Sequence, residues 1–243
     1  MLWRNQTAGC DPCVVSEIAG KCFCIGGSAE ISKKFANKNF GVGCPGGVEV
    51  VAHSLRNVLE GPAEALLKID FRNAFNLIDR DAFVQASCRD FPGMSLWTHW
   101  CYGSPSVLLY DHHRVIQSTC GVQQGDPLGP LYFCCGIAGL VEKIQKFGPR
   151  YNKWYMDDGG IIAPAGKLVA IWNMLLEESP KLGLELNPAK CEWSWLNSIC
   201  TQPCPIRMRA SKSRWSQRTS PNAWRSPWIL GGGGMVRFLL GSS

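Results

Sequence analysis

The chain has 243 residues, of which 46% are apolar, as is ordinary for one globular domain with appendages. No apolar run approaches the ~20 residues of a membrane-spanning helix, and the N-terminus has no apolar stretch of signal-peptide length; we therefore expect an intracellular protein, nuclear or cytoplasmic, without a membrane partner. The net charge of +6 arises after residue 204, where seven basic and no acidic residues stand, so net charge does not predict nucleic-acid binding by the rest of the chain.

Irregular structure is predicted over residues 1–39, where no apolar period is sustained. Cys10 and Cys13 form a C-x2-C pair, and Cys22 and Cys24 form a C-x-C pair. Zinc is disfavoured because one intervening residue rarely lets both sulfurs reach one tetrahedral ion. The 13 cysteines, an odd number in a chain without a secretion signal, also argue against a disulfide framework, so we expect reduced, mostly buried thiols.

Residues 40–195 alternate between helical and strand periods. The pattern predicts helices over residues 48–59, 79–89, 129–146 and 168–178, and strands over 65–70, 106–110, 115–118 and 182–186, with a hairpin over 154–162. This mixed order predicts an α+β fold, in which an antiparallel sheet carries helices packed on one face. The periodicity ends after residue 195, and we predict a disordered basic tail over residues 196–243.

Three acidic residues stand where this local structure exposes them. Asp70 ends an apolar strand, and Asp157 and Asp158 lie at the tip of a hairpin. An acid after an apolar run loses hydration, and adjacent carboxylates repel each other; a divalent cation relieves both. Carboxylate oxygens suit Mg²⁺ or Mn²⁺. The alternative is structural, since Asp is common in turns and caps helices.

Sequence motifs around these acids resemble those of reverse transcriptases, most closely the enzymes of non-LTR retrotransposons. Three central palm motifs are matched in order by residues 69–76 (IDFRNAFN), 123–133 (QQGDPLGPLYF) and 154–159 (WYMDDG). A fourth stretch, residues 182–192 (LGLELNPAKCE), resembles the strand-turn motif that follows, and residues 40–59 resemble a fingers segment leading into a helix. The resemblance implies a polymerase palm with part of the fingers over residues 40–195 and no recognisable thumb.

The same resemblance implies an RNA-directed DNA polymerase of a retrotransposon, whose partners are an RNA template, a DNA primer and a dNTP. It implies two Mg²⁺ or Mn²⁺ ions, one activating the primer 3′-hydroxyl and the other steadying the triphosphate. The resemblance implies that Asp70 and Asp157 would bridge the ions. The backbone carbonyl of Phe71 would complete one metal shell, and Asp158 would be a supporting acid. Nothing in the sequence indicates an oligomeric state.

Two residues that follow Asp70 in the first motif, Phe75 and Arg72, match positions near the incoming nucleotide of similar enzymes. Phe75 corresponds to a ring under the sugar, which implies a preference for deoxynucleotides because a 2′-hydroxyl would clash with it. The alternative for Phe75 is plain core packing. Arg72 corresponds to a residue that approaches the triphosphate, and its alternative is a solvated surface arginine.

Four further residues are placed by the later motifs. Gln124 and Gly125 would lie against the templating base pair and the incoming nucleotide, where glycine permits close approach of backbone. Tyr155 would lie beside the primer end. Lys190 would protonate the pyrophosphate leaving group, and its alternative is a surface lysine.

The sequence departs from the family pattern in its cations and in its C-terminal part. Residues 11–24 resemble the fingers stretch that usually carries basic residues for the triphosphate, yet only Lys21 is available. One alternative is therefore a weak or inactive remnant that keeps the palm fold and binds nucleic acid. Another is a different two-metal enzyme, such as a nucleotide cyclase; the QGDPLGP stretch and the spacing of Phe75 favour a polymerase.

Overall fold

The computed structural model describes residues 12–59, 64–110, 114–196, 204–206 and 209–210. Its helices are α1 (Pro12–Gly26), α2 (Ser28–Phe35), α3 (Gly47–Leu59), α4 (Ala74–Leu77), α5 (Arg80–Asp90), α6 (Ser95–Tyr102), α7 (Gly129–Gln145) and α8 (Ala165–Glu178). Its strands are β1 (Ala65–Ile69), β2 (Ser106–Tyr110), β3 (Arg114–Ser118), β4 (Tyr151–Tyr155), β5 (Asp158–Ala163), β6 (Glu192–Trp195) and β7 (Arg209–Ala210). Among these residues, no helix combines the length and apolarity needed to cross a membrane.

Five strands form one sheet in the order β4-β5-β1-β6-β7, and β2 and β3 form a separate hairpin. Strand β1 is central and pairs antiparallel with both β5 and β6. All five of its residues are buried, and four of them are apolar. Only the β6–β7 pair of this sheet is parallel among the described residues. The predicted α+β fold with an antiparallel sheet is confirmed.

Helices α7 and α8 cover one face of the sheet. Helix α7 buries 11 of its 17 residues, and its Val141 carbonyl accepts a hydrogen bond from the Asn152 amide of β4, 3.2 Å long. The inward side chains of β1 on this face, Leu67 and Ile69, are fully buried with those of the two helices. This contact forms the main core of the chain.

Helix α3 packs on the opposite face, at one end only. Its Leu55 and Val58 contact a small cluster formed by Leu66, Tyr151 and Ile162. The hydroxyl of Tyr151 donates to the Val51 carbonyl of the helix, 3.2 Å away. Side chains alternate between faces along a strand, so Leu66, residue 68 and residue 70 share this face. Helix α3 thus covers its Leu66 end and leaves the other end open.

Three predictions from local sequence are wrong. Residues 12–35 form α1 and α2 rather than irregular structure. Residues 182–186 do not form a strand, because a 3₁₀ turn (Ser179–Leu182) and the left-handed Gly183 (φ 70°) precede a single bridge from Leu186 to Phe71. Arg209–Ala210, within the predicted tail, pairs with β6 as β7. The rest of the tail from residue 197 lies outside the described residues, except 204–206.

Candidate active site

The three predicted acids meet at the open end of the sheet. The β1–β5 register pairs Ile69 with Gly159, so Asp70 follows its strand at the level where Asp158 begins the next one. The β4–β5 hairpin closes through Met156 and Asp157, and Tyr155 pairs with Asp158. Pairing between distant segments therefore brings residue 70 beside residues 157 and 158.

All three carboxylates are half-buried, and their charges act on one another. Burial raises the pKa of Asp157, and the charge of Asp70 raises it further. Burial raises the pKa of Asp158 to about 6, with additional contributions from Asp157 and Asp70. The site therefore concentrates negative charge that water compensates incompletely, which is the electrostatic condition for binding a cation.

Asp70 is fixed by its backbone while one of its carboxylate oxygens stays unpartnered. Its backbone carbonyl accepts a 2.9 Å hydrogen bond from the backbone N–H of Asn187. The Cys191 sulfur accepts from the Asp70 amide at 3.3 Å and donates to its carbonyl at 3.5 Å. Burial raises the pKa of Cys191 to about 11, so the thiol stays protonated and can donate. Oδ1 of Asp70 is buried without a hydrogen-bond partner.

These residues fit a magnesium or manganese site in which the protein supplies only some of the metal ligands. Across the described part of the chain, no three His, Cys, Asp or Glu side chains form a ready-made cation cage. Mg²⁺ usually takes one or two protein carboxylates and completes its shell with water and substrate phosphates. A buried, unpartnered oxygen on Asp70 beside the Asp157 charge matches that incomplete type of site.

Two lysines moderate the acidic charge. Lys190 is exposed, and its charge opposes the rise in the pKa of both Asp157 and Asp158. Lys68 was not predicted. It is 8% exposed, its amine lies 3.8 Å from Glu192, and its charge also opposes the rise at Asp158. A lysine within an apolar strand, two residues before an acid, was the available sequence signal.

The two phenylalanines of the first motif face the core. Phe71 is 4% exposed and stacks on Trp154 with ring centroids 6.3 Å apart, so only its backbone carbonyl remains for the predicted metal contact. Phe75 is half-buried and stacks on Phe133 at 4.5 Å. Core packing is therefore a real role for Phe75, and its partial exposure leaves the predicted contact with a sugar open.

The remaining predicted residues are Gln124, Gly125, Arg72 and Tyr155, and each has its own contacts or backbone conformation. Gln124 is exposed and its amide donates to the Asn76 side chain at 3.0 Å, which fastens its loop to the first motif. Gly125 has φ of +87°, and a Cβ there would meet no atom within 4 Å, so its requirement is conformational. Arg72 is exposed and pairs with Glu185 at 3.1 Å. Tyr155 is half-buried at the end of β4.

Three lysines of the N-terminal part form ion pairs with acids other than the three predicted ones. Lys21 pairs with Glu17 one helical turn away, 2.6 Å apart. Lys34 and Lys38 pair with Asp90 and Glu142 on neighbouring helices, at 2.8 and 3.0 Å. The pairs of Lys34 and Lys38 connect α2 and the segment after it to α5 and α7.

The cysteine pairs lie at the same end of the chain. Cys10 and the side chain of Cys13 lie outside the described residues. Cys22 is exposed, and the Cys24 thiol donates to the carbonyl of Pro127 at 3.6 Å. Cys24 therefore has a structural contact with the loop of the second motif.

Comparison with known proteins agrees with this geometry. A family model described as reverse transcriptase (RNA-dependent DNA polymerase) matches residues 38–218. The retrotransposable element SLACS 132 kDa protein of Trypanosoma brucei gambiense is 31% identical over 167 residues, which are 66% of this chain and 14% of that protein.

Two solved structures share the fold at low sequence identity. Apo telomerase from Candida tropicalis is 13% identical with a TM-score of 0.57, over 76% of this chain and 37% of that one. Its form truncated from the C-terminal domain is 12% identical with a TM-score of 0.58, over 77% and 42%. These likenesses identify the architecture as a partial polymerase palm.

Proposed function

The chain belongs to the reverse transcriptase family, and on that premise we propose that its palm catalyses RNA-directed DNA synthesis for a retrotransposon. The chain spans 14% of the curated relative, so the activity is proposed for the domain described here. In the proposed reaction the primer 3′-hydroxyl attacks the α-phosphate of a dNTP, and pyrophosphate leaves. The partners are an RNA template, a DNA primer and a dNTP.

One observation carries this proposal: Asp70 presents a buried, unpartnered oxygen beside Asp157 and Asp158. Asp70 and Asp157 would hold two Mg²⁺ or Mn²⁺ ions with the Phe71 carbonyl, and Asp158 would support them. When bound, the ions supply Lewis-acid activation of the hydroxyl and charge neutralisation at the phosphates. Phosphoryl transfer depends mostly on such positioning and charge neutralisation.

The chain's other side chains would orient the substrates. Lys190, whose charge already acts on Asp157 and Asp158, would donate a proton to the leaving pyrophosphate. Gln124 and Gly125 would contact the templating base pair, and Tyr155 the primer end. Arg72 would approach the triphosphate after exchanging its exposed partner Glu185, since exposed pairs are weak.

Primer extension on an RNA template, with Mg²⁺ and with Mn²⁺, tests the proposal. We expect extension by the wild-type chain and its loss in Asp70→Asn and Asp157→Asn. Glu177→Gln, an exposed acid on α8 away from the site, is the matched control and should extend as the wild type does. Circular dichroism establishes that each variant is folded. Failure of the folded wild-type chain to extend with either ion would contradict the proposal and favour an inactive remnant.

A further inference from the structure

Asn39 bonds both backbone polar groups of Met156, 117 residues away. Its side-chain amide donates to the Met156 carbonyl at 3.1 Å, and its side-chain oxygen accepts from the Met156 N–H at 3.0 Å. The same oxygen accepts from the Gly41 N–H at 3.0 Å. Asn39 is 3% exposed, so these bonds form away from competing water.

Met156 has a backbone conformation that needs such support. It directly precedes Asp157, and its φ of 53° places a residue with a long side chain in the left-handed region. That region is unfavourable for residues other than glycine, and such a conformation persists where the surroundings determine it. Bonds from Asn39 to the N–H and the carbonyl of Met156 constrain the peptide groups on both sides of this residue.

Asn39 itself has a fixed place beside the turn. Its segment runs along the outer edge of β4, where the Phe40 N–H donates to the Trp154 carbonyl at 2.8 Å. The Trp154 N–H donates to the Lys38 carbonyl at 3.0 Å. A Cβ on Gly41 would collide with Met156, so glycine is required for this close approach. Backbone hydrogen bonds to Trp154 therefore fix the position of Asn39 without any contribution from its side chain.

We propose that Asn39 is a positioning residue, which holds the left-handed conformation of Met156 and thereby keeps Asp157 beside Asp70. It acts through backbone and touches neither substrate nor metal. This role rests on the proposed function, since it concerns the placement of the same acids. Groups that orient metal ligands typically matter by about 10–100-fold in metal affinity or activity, and we expect Asn39 to act in that range.

A buried amide can also serve stability alone, and the chain offers a matched control for that possibility. Asn152 is 8% exposed on neighbouring β4. Its side chain makes three hydrogen bonds, to the Val141 carbonyl, the Gln145 side chain and the Trp154 indole, at 3.2, 3.2 and 2.9 Å. None of these partners is in the turn between β4 and β5. Asn152→Ala therefore removes as many bonds as Asn39→Ala without releasing Met156.

The experiment measures the wild type, Asn39→Ala, Asn152→Ala and Asp157→Asn by two readouts. The first is the rise in Tm with Mn²⁺ concentration, which reports metal binding to the folded chain without any turnover. The second is the Mn²⁺ concentration for half-maximal primer extension, together with KM for primer–template. We expect Asn39→Ala to require about 10–100-fold more Mn²⁺ in both readouts with KM unchanged. Asn152→Ala should lower the Tm without Mn²⁺ and respond to Mn²⁺ as the wild type does.

Each of the other outcomes supports or overturns the role of Asn39, the metal site or the polymerase activity. Equal Mn²⁺ responses in Asn39→Ala and the wild type would overturn the role of Asn39 while leaving the proposed function intact. Equal losses in Asn39→Ala and Asn152→Ala would reduce Asn39 to a stabilising core amide. A wild-type chain whose Tm does not respond to Mn²⁺ would overturn the metal site and this role together. A Tm response that Asp157→Asn abolishes, without primer extension, would preserve the role of Asn39 and overturn only the polymerase activity.

Discussion

The ring of Phe75 lies stacked on the ring of Phe133, with centroids 4.5 Å apart and planes 17° apart. Phe133 is fully buried in α7, whereas Phe75 is only half-buried. The Phe75 carbonyl also accepts a hydrogen bond from the Val122 N–H at 2.8 Å, which joins it to the loop of the second motif. One face of the Phe75 ring therefore packs against the core. This packing and the backbone hydrogen bond hold the ring in place, so it limits the size of a group that fits beside it.

Phe75→Val should increase the incorporation of ribonucleotides, because the shorter side chain leaves room for a 2′-hydroxyl. The check is the ratio of kcat/KM for a dNTP to that for the matching rNTP. Losing the stacked pair should also lower the free energy of unfolding by about 1–2 kcal/mol. Phe133→Leu loses the same stacking from the core side but keeps the Phe75 ring, so it should change the ratio far less than Phe75→Val does. Unchanged sugar discrimination in Phe75→Val would refute the predicted gate.

Gly159→Ala should destabilise the β4–β5 hairpin. A Cβ at Gly159 would lie 2.6 Å from the indole of Trp154, which is fully buried and cannot retreat. Overpacking of this kind typically lowers the free energy of unfolding by about 1–3 kcal/mol, measurable by urea denaturation. Gly139→Ala is the control, because no atom lies within 4 Å of its added Cβ in α7. That helix substitution should stabilise the chain by about 0.5–1 kcal/mol, and equal losses in both variants would contradict the packing argument.

Asp158→Asn should weaken primer extension without abolishing it, whereas Asp157→Asn should abolish it. The reason is that in the proposed function Asp158 would support the site through its charge, whereas Asp157 would be a metal ligand beside Asp70. We expect kcat to fall by about 10–100-fold in Asp158→Asn, as for groups that tune a metal site indirectly. Single-turnover extension of one nucleotide provides the measurement. Complete inactivity of folded Asp158→Asn would contradict its supporting role, and residual activity in Asp157→Asn beside it would reverse the two assignments.

Arg80→Lys should destabilise the chain although it preserves the charge. Arg80 is 6% exposed, and its guanidinium donates to the Gly121 carbonyl at 3.1 Å and to the Ser118 carbonyl and hydroxyl at 2.5 and 2.7 Å. A lysine amine cannot reproduce this fork, so buried acceptors lose their partners. The expected loss is about 2–4 kcal/mol in the free energy of unfolding. Arg89→Lys, whose side chain is 69% exposed, should change it by less than about 0.5 kcal/mol, and a similar change in both would contradict this account.

Elements whose signals are local could be predicted from the amino-acid sequence alone. The apolar run of β1 predicted a buried strand ending at Asp70. The helix predicted over residues 79–89 forms as α5, and Asp79 caps it by accepting from the Ala82 N–H at 2.9 Å. The hairpin that carries Asp157 and Asp158 also followed from the acidic turn between two apolar segments. These features depend on residues within one or two turns of chain, so a single sequence contains them.

Contacts between groups that are distant in the sequence became visible only in the folded chain. Nothing local to Asn39 indicates that its amide would bond Met156, and nothing in β1 shows that Lys68 would lie near Glu192 and influence Asp158. The failed strand over residues 182–186 has the same origin. Its apolar residues fit a strand locally, but the left-handed Gly183 and the bond from Asn187 to Asp70 direct that segment into a turn beneath the site. Strand pairing and buried hydrogen bonds depend on partners that local periodicity does not specify.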